Sequence, residues 1–154
     1  CAVIVPASTH DLMAFARRMV SEHAYVRPTA DMQAILWKSP STGEFEWVVA
    51  YDGFIGQCCQ MHVVNLKGKP APRKMLWACF HYPFEQADMK YVIGLVNSLN
   101  EPAMRFDKHL GFEEMARLPG AHDGGGDIVI MKMEKPQCRW LKLGERYEKE
   151  LLAA

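Results

Sequence analysis

The sequence predicts an α/β domain, a mixed β-sheet with helices on its faces. Three observations carry this expectation. The 154 residues amount to one domain, 49% apolar and 23% charged, near the globular average, which excludes disorder for the whole chain. Short β-branched runs alternate with amphipathic helical runs, the pattern of crossover connections. Two segments read as hairpins, so the sheet is mixed rather than purely parallel. With no internal repeat and no linker, a single domain is expected over residues 1–154, with a core at about 2–133 and a C-terminal helix at about 137–152.

Residues 2–7 read as a short strand. Ser8, with Asp11 three residues on, marks a helix start, and Leu12, Phe15, Ala16, Met19 and Val20 follow at helical spacing. Thr29 is expected to cap a shorter second helix carrying Met32, Ile35 and Leu36, ended by Pro-Ser-Thr-Gly at 40–43. Residues 46–51 and 54–55, around Asp52-Gly53, read as a hairpin with a favoured two-residue turn, the return running on through 60–64. After a loop at 65–72, Pro72 suits the first turn of a helix carrying Leu76, Phe80 and Phe84, which Pro83 ends or kinks. Residues 90–96 are β-branched and short, a buried strand. Residues 100–110 form an amphipathic helix stopped by Gly111. Residues 112–118 and 127–133, joined through a Gly-rich tip at 124–126, read as a second hairpin. The last helix places Trp140, Leu143, Tyr147 and Leu151 on one stripe, which either packs back on the sheet or forms a dimer seam.

Eighteen Lys and Arg balance eighteen Asp and Glu, so the whole surface is not built for nucleic acid or for an anionic membrane. No apolar run approaches the roughly 18 residues that span a bilayer. Residues 1–6 lack a charged region followed by a long apolar stretch, which argues against a signal peptide there, and a chain starting at Cys is expected to have lost its initiator Met or upstream residues. Five cysteines, two of them adjacent (Cys58 and Cys59) and none in a CxxC pair, read as free thiols serving as small apolar residues in a reducing compartment. No metal site is expected: His122, Asp123 and Asp127 surround three glycines and read as a flexible loop.

Composition and periodicity end at fold class. One stretch goes further: Asn100 follows a strand, Ala103 comes three residues later, and Gly111-Phe112 closes the helix. This pattern resembles the GNAT acyltransferase superfamily. The flanks at 80–86, 127–133 and 138–141 resemble small GNAT-like proteins encoded by tailed bacteriophages. The resemblance covers roughly residues 60–141, while 1–59 fit by element order alone.

The resemblance implies a centrally splayed sheet that binds acetyl-coenzyme A in the gap and passes the acetyl group directly to a primary amine. The pyrophosphate loop then falls at 65–74, where Gly68 survives from the usual glycine signature. Lys67, Lys69, Arg73 and Lys74 add positive charge, and Pro70 and Pro72 remove two N–H donors. His62 is the base by position, with Val63 beside it against the cofactor. Only eleven residues separate Gly53 from Asn65, so one of the family's two strands here is expected to be shortened, merged or absent. Asn100 contacts coenzyme A or substrate, or simply caps its helix. Relatives place a Tyr acid seven residues after that Asn; here the position is Asp107, ordinarily ionised at neutral pH. Tyr82 and His81 are the alternative acids. The 122–127 loop would set access to the acceptor groove.

Two functional readings follow. In one, the chain is an N-acetyltransferase for a small-molecule or peptide amine. In the other, favoured by the loop prolines and Asp107, it is an inactive GNAT-fold binding protein or virion-associated structural component. The resemblance further implies a cytoplasmic location (the host cytoplasm for a phage protein) or association with a virion. The partners it implies are a second copy of the chain, a virion or a host protein.

Overall fold

A computed structural model describes the backbone of residues 3–152 and side chains through 149; Cys1, Ala2 and the side chain of Leu151 lie outside the described residues. The strands are β1 (Ile4–Pro6), β2 (Gln33–Lys38), β3 (Phe45–Ile55), β4 (Cys58–Asn65), β5 (Tyr91–Asn97), β6 (Glu113–Leu118) and β7 (Ile128–Glu134). The helices are α1 (His10–Ala24), α2 (Arg73–His81), α3 (Glu101–Leu110) and α4 (Gly144–Leu152). Together the strands form one sheet in the order β1-β2-β3-β4-β5-β7-β6. Neighbours are antiparallel except β4 and β5, which run parallel and are joined by the α2 crossover. No described helix is long and apolar enough to cross a membrane.

Alternation along the strands sends side chains to two cores. Ala34, Leu36, Val48, Ala50 and Val64 meet Ala16 and Val20 of α1 on one face. On the other, Trp47, Val49, Tyr51 and Met61 pack with Leu76 and Phe80 of α2 and Met104 of α3.

Residues 33–38 form a strand where a helix is expected. Met32, Ile35 and Leu36 have helical spacing, but a run this short cannot nucleate a stable helix by itself. Between β1 and β3 the same residues gain two ladders of backbone hydrogen bonds, pairing Ile35 with Val49 and Leu36 with Val48. Thr29 is not a cap; its N–H donates to Asp52 Oδ2 at 3.0 Å. The helix start also shifts by one residue, with Thr9 Oγ1, not Ser8, accepting the Leu12 N–H.

Asp52-Gly53 is not the hairpin turn. β3 runs on to Ile55, with Gly53 at φ 57 absorbing a bulge, and the chain reverses at Gly56-Gln57. This gives both central strands full length, so neither is lost and His62 falls within β4.

Pro83 neither ends the helix cleanly nor merely kinks it. The backbone widens to a π-turn over residues 82–86, with the Ala87 N–H donating to the Tyr82 carbonyl at 2.9 Å. The expected helix at 137–152 begins only at Gly144, after two 3₁₀ turns, because the extended Cys138 breaks the run between them. Its stripe packs back on the domain: Trp140 Nε1 donates to the Leu110 carbonyl at 2.9 Å, and Tyr147 lies 5.7 Å from the Trp77 ring.

Candidate active site

The parallel pairing of β4 and β5 covers only residues 58–60 with 91–93. Beyond Gln60 and Ile93 the strands part. Alternate backbone N–H groups of β4 past that point face no strand. A cavity of about 170 Å³ occupies the opening, with His62, Asn97, Asn100 and Asp107 in its walls. The C-terminal end of α1 reaches it from one face of the sheet and α3 from the other, so the opening joins the two faces.

His62 is 5% exposed, and its Nε2 lies 2.7 Å from Asp52 Oδ1. Burial acts to raise the Asp52 pKa, but the His62 hydrogen bond and charge, helped by the Thr29 N–H, hold it below the usual carboxylate range. An ionised carboxylate only accepts, so Nε2 donates to it and Nδ1 is the nitrogen left facing away from Asp52. Nδ1 has no partner among the described residues. The arrangement is an imidazole oriented by a buried carboxylate.

Asp107 sits one turn beyond Ala103 on α3, against Gly94 of β5. Burial pushes its carboxyl up to about 7, so near neutral pH a large fraction is protonated and able to donate. The ordinary ionised state read from the sequence does not hold here. Asn100 caps α3, its Oδ1 accepting the Ala103 N–H at 3.2 Å, and lines the cavity as well.

Tyr82 stands elsewhere. It borders a second cavity with Tyr51, Gln33 and Gln86, its ring 4.9 Å from that of Tyr51, away from His62 and Asp107. His81 lies over Trp77 and faces Glu148 at 3.7 Å. Neither lines the β4–β5 opening, so the structure does not bring these two acid candidates to the base.

At the end of β4, Gly68 takes φ 66 and Asn65 Nδ2 holds the Lys69 carbonyl at 2.9 Å, closing the loop before α2. Pro72 is the N-cap, and the N–H groups of Arg73 and Met75 in the first turn have no carbonyl of the helix to bond. The basic charge is partly spent. Lys69 pairs with the nearly buried Glu46 at 2.7 Å, and Lys67 approaches Glu44 at 3.8 Å.

The described cysteines are free; burial raises Cys58, lifts Cys138 to about 11 and Cys59 to about 12, and pushes Cys79 higher. None is poised as a nucleophile. Among the described residues no group of three His, Cys, Asp or Glu gathers to hold a metal. His122 Nδ1 accepts the Gly124 N–H at 3.0 Å and Asp127 Oδ1 the Gly120 N–H at 2.9 Å, which shapes the loop and sets His122 on the cavity wall.

Sequence reasoning missed Asp52 as a partner of His62. The signal was present: with the turn at 56–57, Ala50 pairs with His62 and Asp52 with Gln60, making Asp52 and His62 diagonal neighbours on one face.

No family model matches the chain, and no curated protein matches it by sequence. Solved structures do. A chimera of the spermidine N-acetyltransferase SpeG from Vibrio cholerae and hSSAT superposes with a TM-score of 0.72 at 13% identity, covering 91% of this chain and 99% of that one. The spermidine N-acetyltransferase from Vibrio cholerae in complex with CoA and spermine gives 0.70 at 12% identity, over 88% and 97%. A dodecameric structure of the Vibrio cholerae enzyme gives 0.61 at 14% identity, over 75% and 70%. The fold is the GNAT fold. Within it, the opening between β4 and β5 is the central splay, and α2 is the helix that follows the first of the two splayed strands.

Proposed function

We propose that the chain is an N-acetyltransferase that moves an acetyl group from acetyl-coenzyme A directly to a primary amine. One observation carries the reading: the parting of β4 and β5 holds an oriented base, His62 with Asp52, and a protonatable acid, Asp107, around one cavity. A related fold solved with CoA and spermine supports it.

The residues present fit the cofactor. The first-turn N–H groups of α2, with the Gly68 loop and the charges of Lys67, Lys69, Arg73 and Lys74, would hold the pyrophosphate. The unpaired edge of β4 at Val63 and the Asn100 side chain would hold the arm. When bound, acetyl-coenzyme A supplies an activated thioester and a thiolate leaving group. His62 Nδ1 takes the proton from the incoming ammonium, directly or through a water, and Asp52 stabilises the imidazolium that results. Unpartnered N–H groups of β4 steady the charge that develops on the carbonyl oxygen. As the amine nitrogen bonded to the acetyl carbon it would shed its second proton to water, and as the carbon–sulfur bond broke Asp107 would give its proton to the sulfur and be reprotonated from solvent.

The reading as a transferase-inactive binding protein draws on the pairing of Lys67 and Lys69 with glutamates. Calorimetric titration with acetyl-coenzyme A separates the two. Saturable one-to-one binding, with coenzyme A thiol released only when an amine is added, is expected of the transferase. No heat and no thermal shift at millimolar concentration would sink it.

A further inference from the structure

Two side chains of the cavity wall, Asn97 and His122, have each spent an acceptor and kept a donor. Asn97 Oδ1 accepts the Leu99 N–H at 3.0 Å, and His122 Nδ1 accepts the Gly124 N–H at 3.0 Å. What remains on each is a donor, Nδ2–H₂ of Asn97 and, with Nδ1 accepting, Nε2–H of His122, with no further partner among the described residues. Both side chains line the one cavity and flank the same glycine: a Cβ placed on Gly124 would stand 2.7 Å from Asn97 Nδ2 and 3.4 Å from the His122 ring. Tyr25, at φ 56 and 69% exposed, sets its ring edge-on to His122 with centroids 6.2 Å apart and forms part of the mouth.

Carboxylates are scarce where a polycation would need them. Asp107 is the one carboxylate among the described lining residues, and Asp52 lies behind His62 with both oxygens engaged. A second or third ammonium on the acceptor would be desolvated without a counter-charge.

We propose that the acceptor is a small amine bearing a carboxylate beside its nitrogen, an α-amino-acid-like molecule, whose carboxylate meets the Asn97 and His122 donors while its amine faces His62. The proposal rests on the transferase reading and narrows it, and it sets this chain apart from the polyamine enzymes that share its fold.

The test is a steady-state comparison with acetyl-coenzyme A, its binding measured by calorimetry on the same preparation. The acceptors are L-alanine and L-phenylalanine, ethylamine and phenethylamine as their decarboxylated counterparts, a dialanine peptide, and spermidine. The amino acids should exceed their counterparts and spermidine in kcat/KM by about 10- to 100-fold, the range for losing a charge-assisted hydrogen bond. Dialanine, with a carbonyl in place of the adjacent carboxylate, should fall below alanine. Asn97→Asp keeps the Leu99 contact but turns the donor into an acceptor, and should lower amino-acid kcat/KM about tenfold or more while retaining acetyl-coenzyme A affinity. If acetyl-coenzyme A binds but spermidine, the bare amines or dialanine are preferred, the proposal is overturned and the transferase reading stands. If acetyl-coenzyme A does not bind, both fall.

Discussion

In the proposed mechanism His62 takes its proton at Nδ1, because Asp52 claims the other nitrogen. Replacing His62 with Gln should lower kcat by about 10²- to 10⁴-fold, the usual contribution of a positioned base, and leave acetyl-coenzyme A affinity within about twofold. Equal kcat in the variant would remove His62 from the mechanism. Asp107 makes a prediction with a sign. Its folded pKa is raised from the ordinary carboxylate value to about 7, so between those values the folded state holds a proton that the unfolded state releases. Stability therefore falls as pH rises through that window, by roughly 2–4 kcal/mol, and stays low above about pH 7. Asp107→Asn should flatten this slope in thermal melts at a series of pH values, and an unchanged slope would place the titration elsewhere. In the proposed mechanism the same proton goes to the leaving sulfur, so kcat should drop as pH passes above about 7. The variant should lose that limb of the profile along with part of its kcat.

At the scale of elements, the loop between β6 and β7 is held on the cavity by Gly126. A Cβ there would collide with Asn97 Oδ1 and come within 2.9 Å of Leu99 and 3.0 Å of Ser98 Oγ. Gly126→Ala should displace the loop, raise KM for the amine several-fold and spare acetyl-coenzyme A binding, as read by initial rates and calorimetry. Local signals made much of this level legible. The Asn100 cap, the Gly111 stop at φ 111 and the amphipathic run between them are written in neighbouring residues. The strand at 33–38 was not, because its stability comes from β1 and β3 on either side rather than from its own spacing. Asp52-Gly53 carried a strong turn signature, yet its glycine serves a bulge and its aspartate a histidine ten residues on. The site divides the same way. Motif and position single out His62 and Asn100, and both line the cavity. The proton on Asp107 depends on burial, and the pairing of Lys67 and Lys69 depends on glutamates brought by β3 and the turn before it, facts of tertiary structure only.

Across the whole molecule, two blocks of sheet, β1–β4 and β5–β7, meet through three residue pairs and the packing of α2 and α3. A ligand filling the opening would touch both. Acetyl-coenzyme A should therefore slow amide exchange in β4 beyond Gln60 and in β5 beyond Ile93, and should stabilise the fold by about 2.7 kcal/mol at a hundredfold excess over Kd. Protection confined to the α2 N-terminus would mean that the pyrophosphate end binds without the arm entering the splay. The most direct test of the central claim is the release of coenzyme A thiol from acetyl-coenzyme A, followed with and without an amine and with mass analysis of the amine product. The account predicts release that depends on amine, acetyl found on the amine nitrogen and none on the protein. Release that ignores the amine, or an acetylated enzyme as the intermediate, would contradict direct transfer through the His62–Asp52 pair.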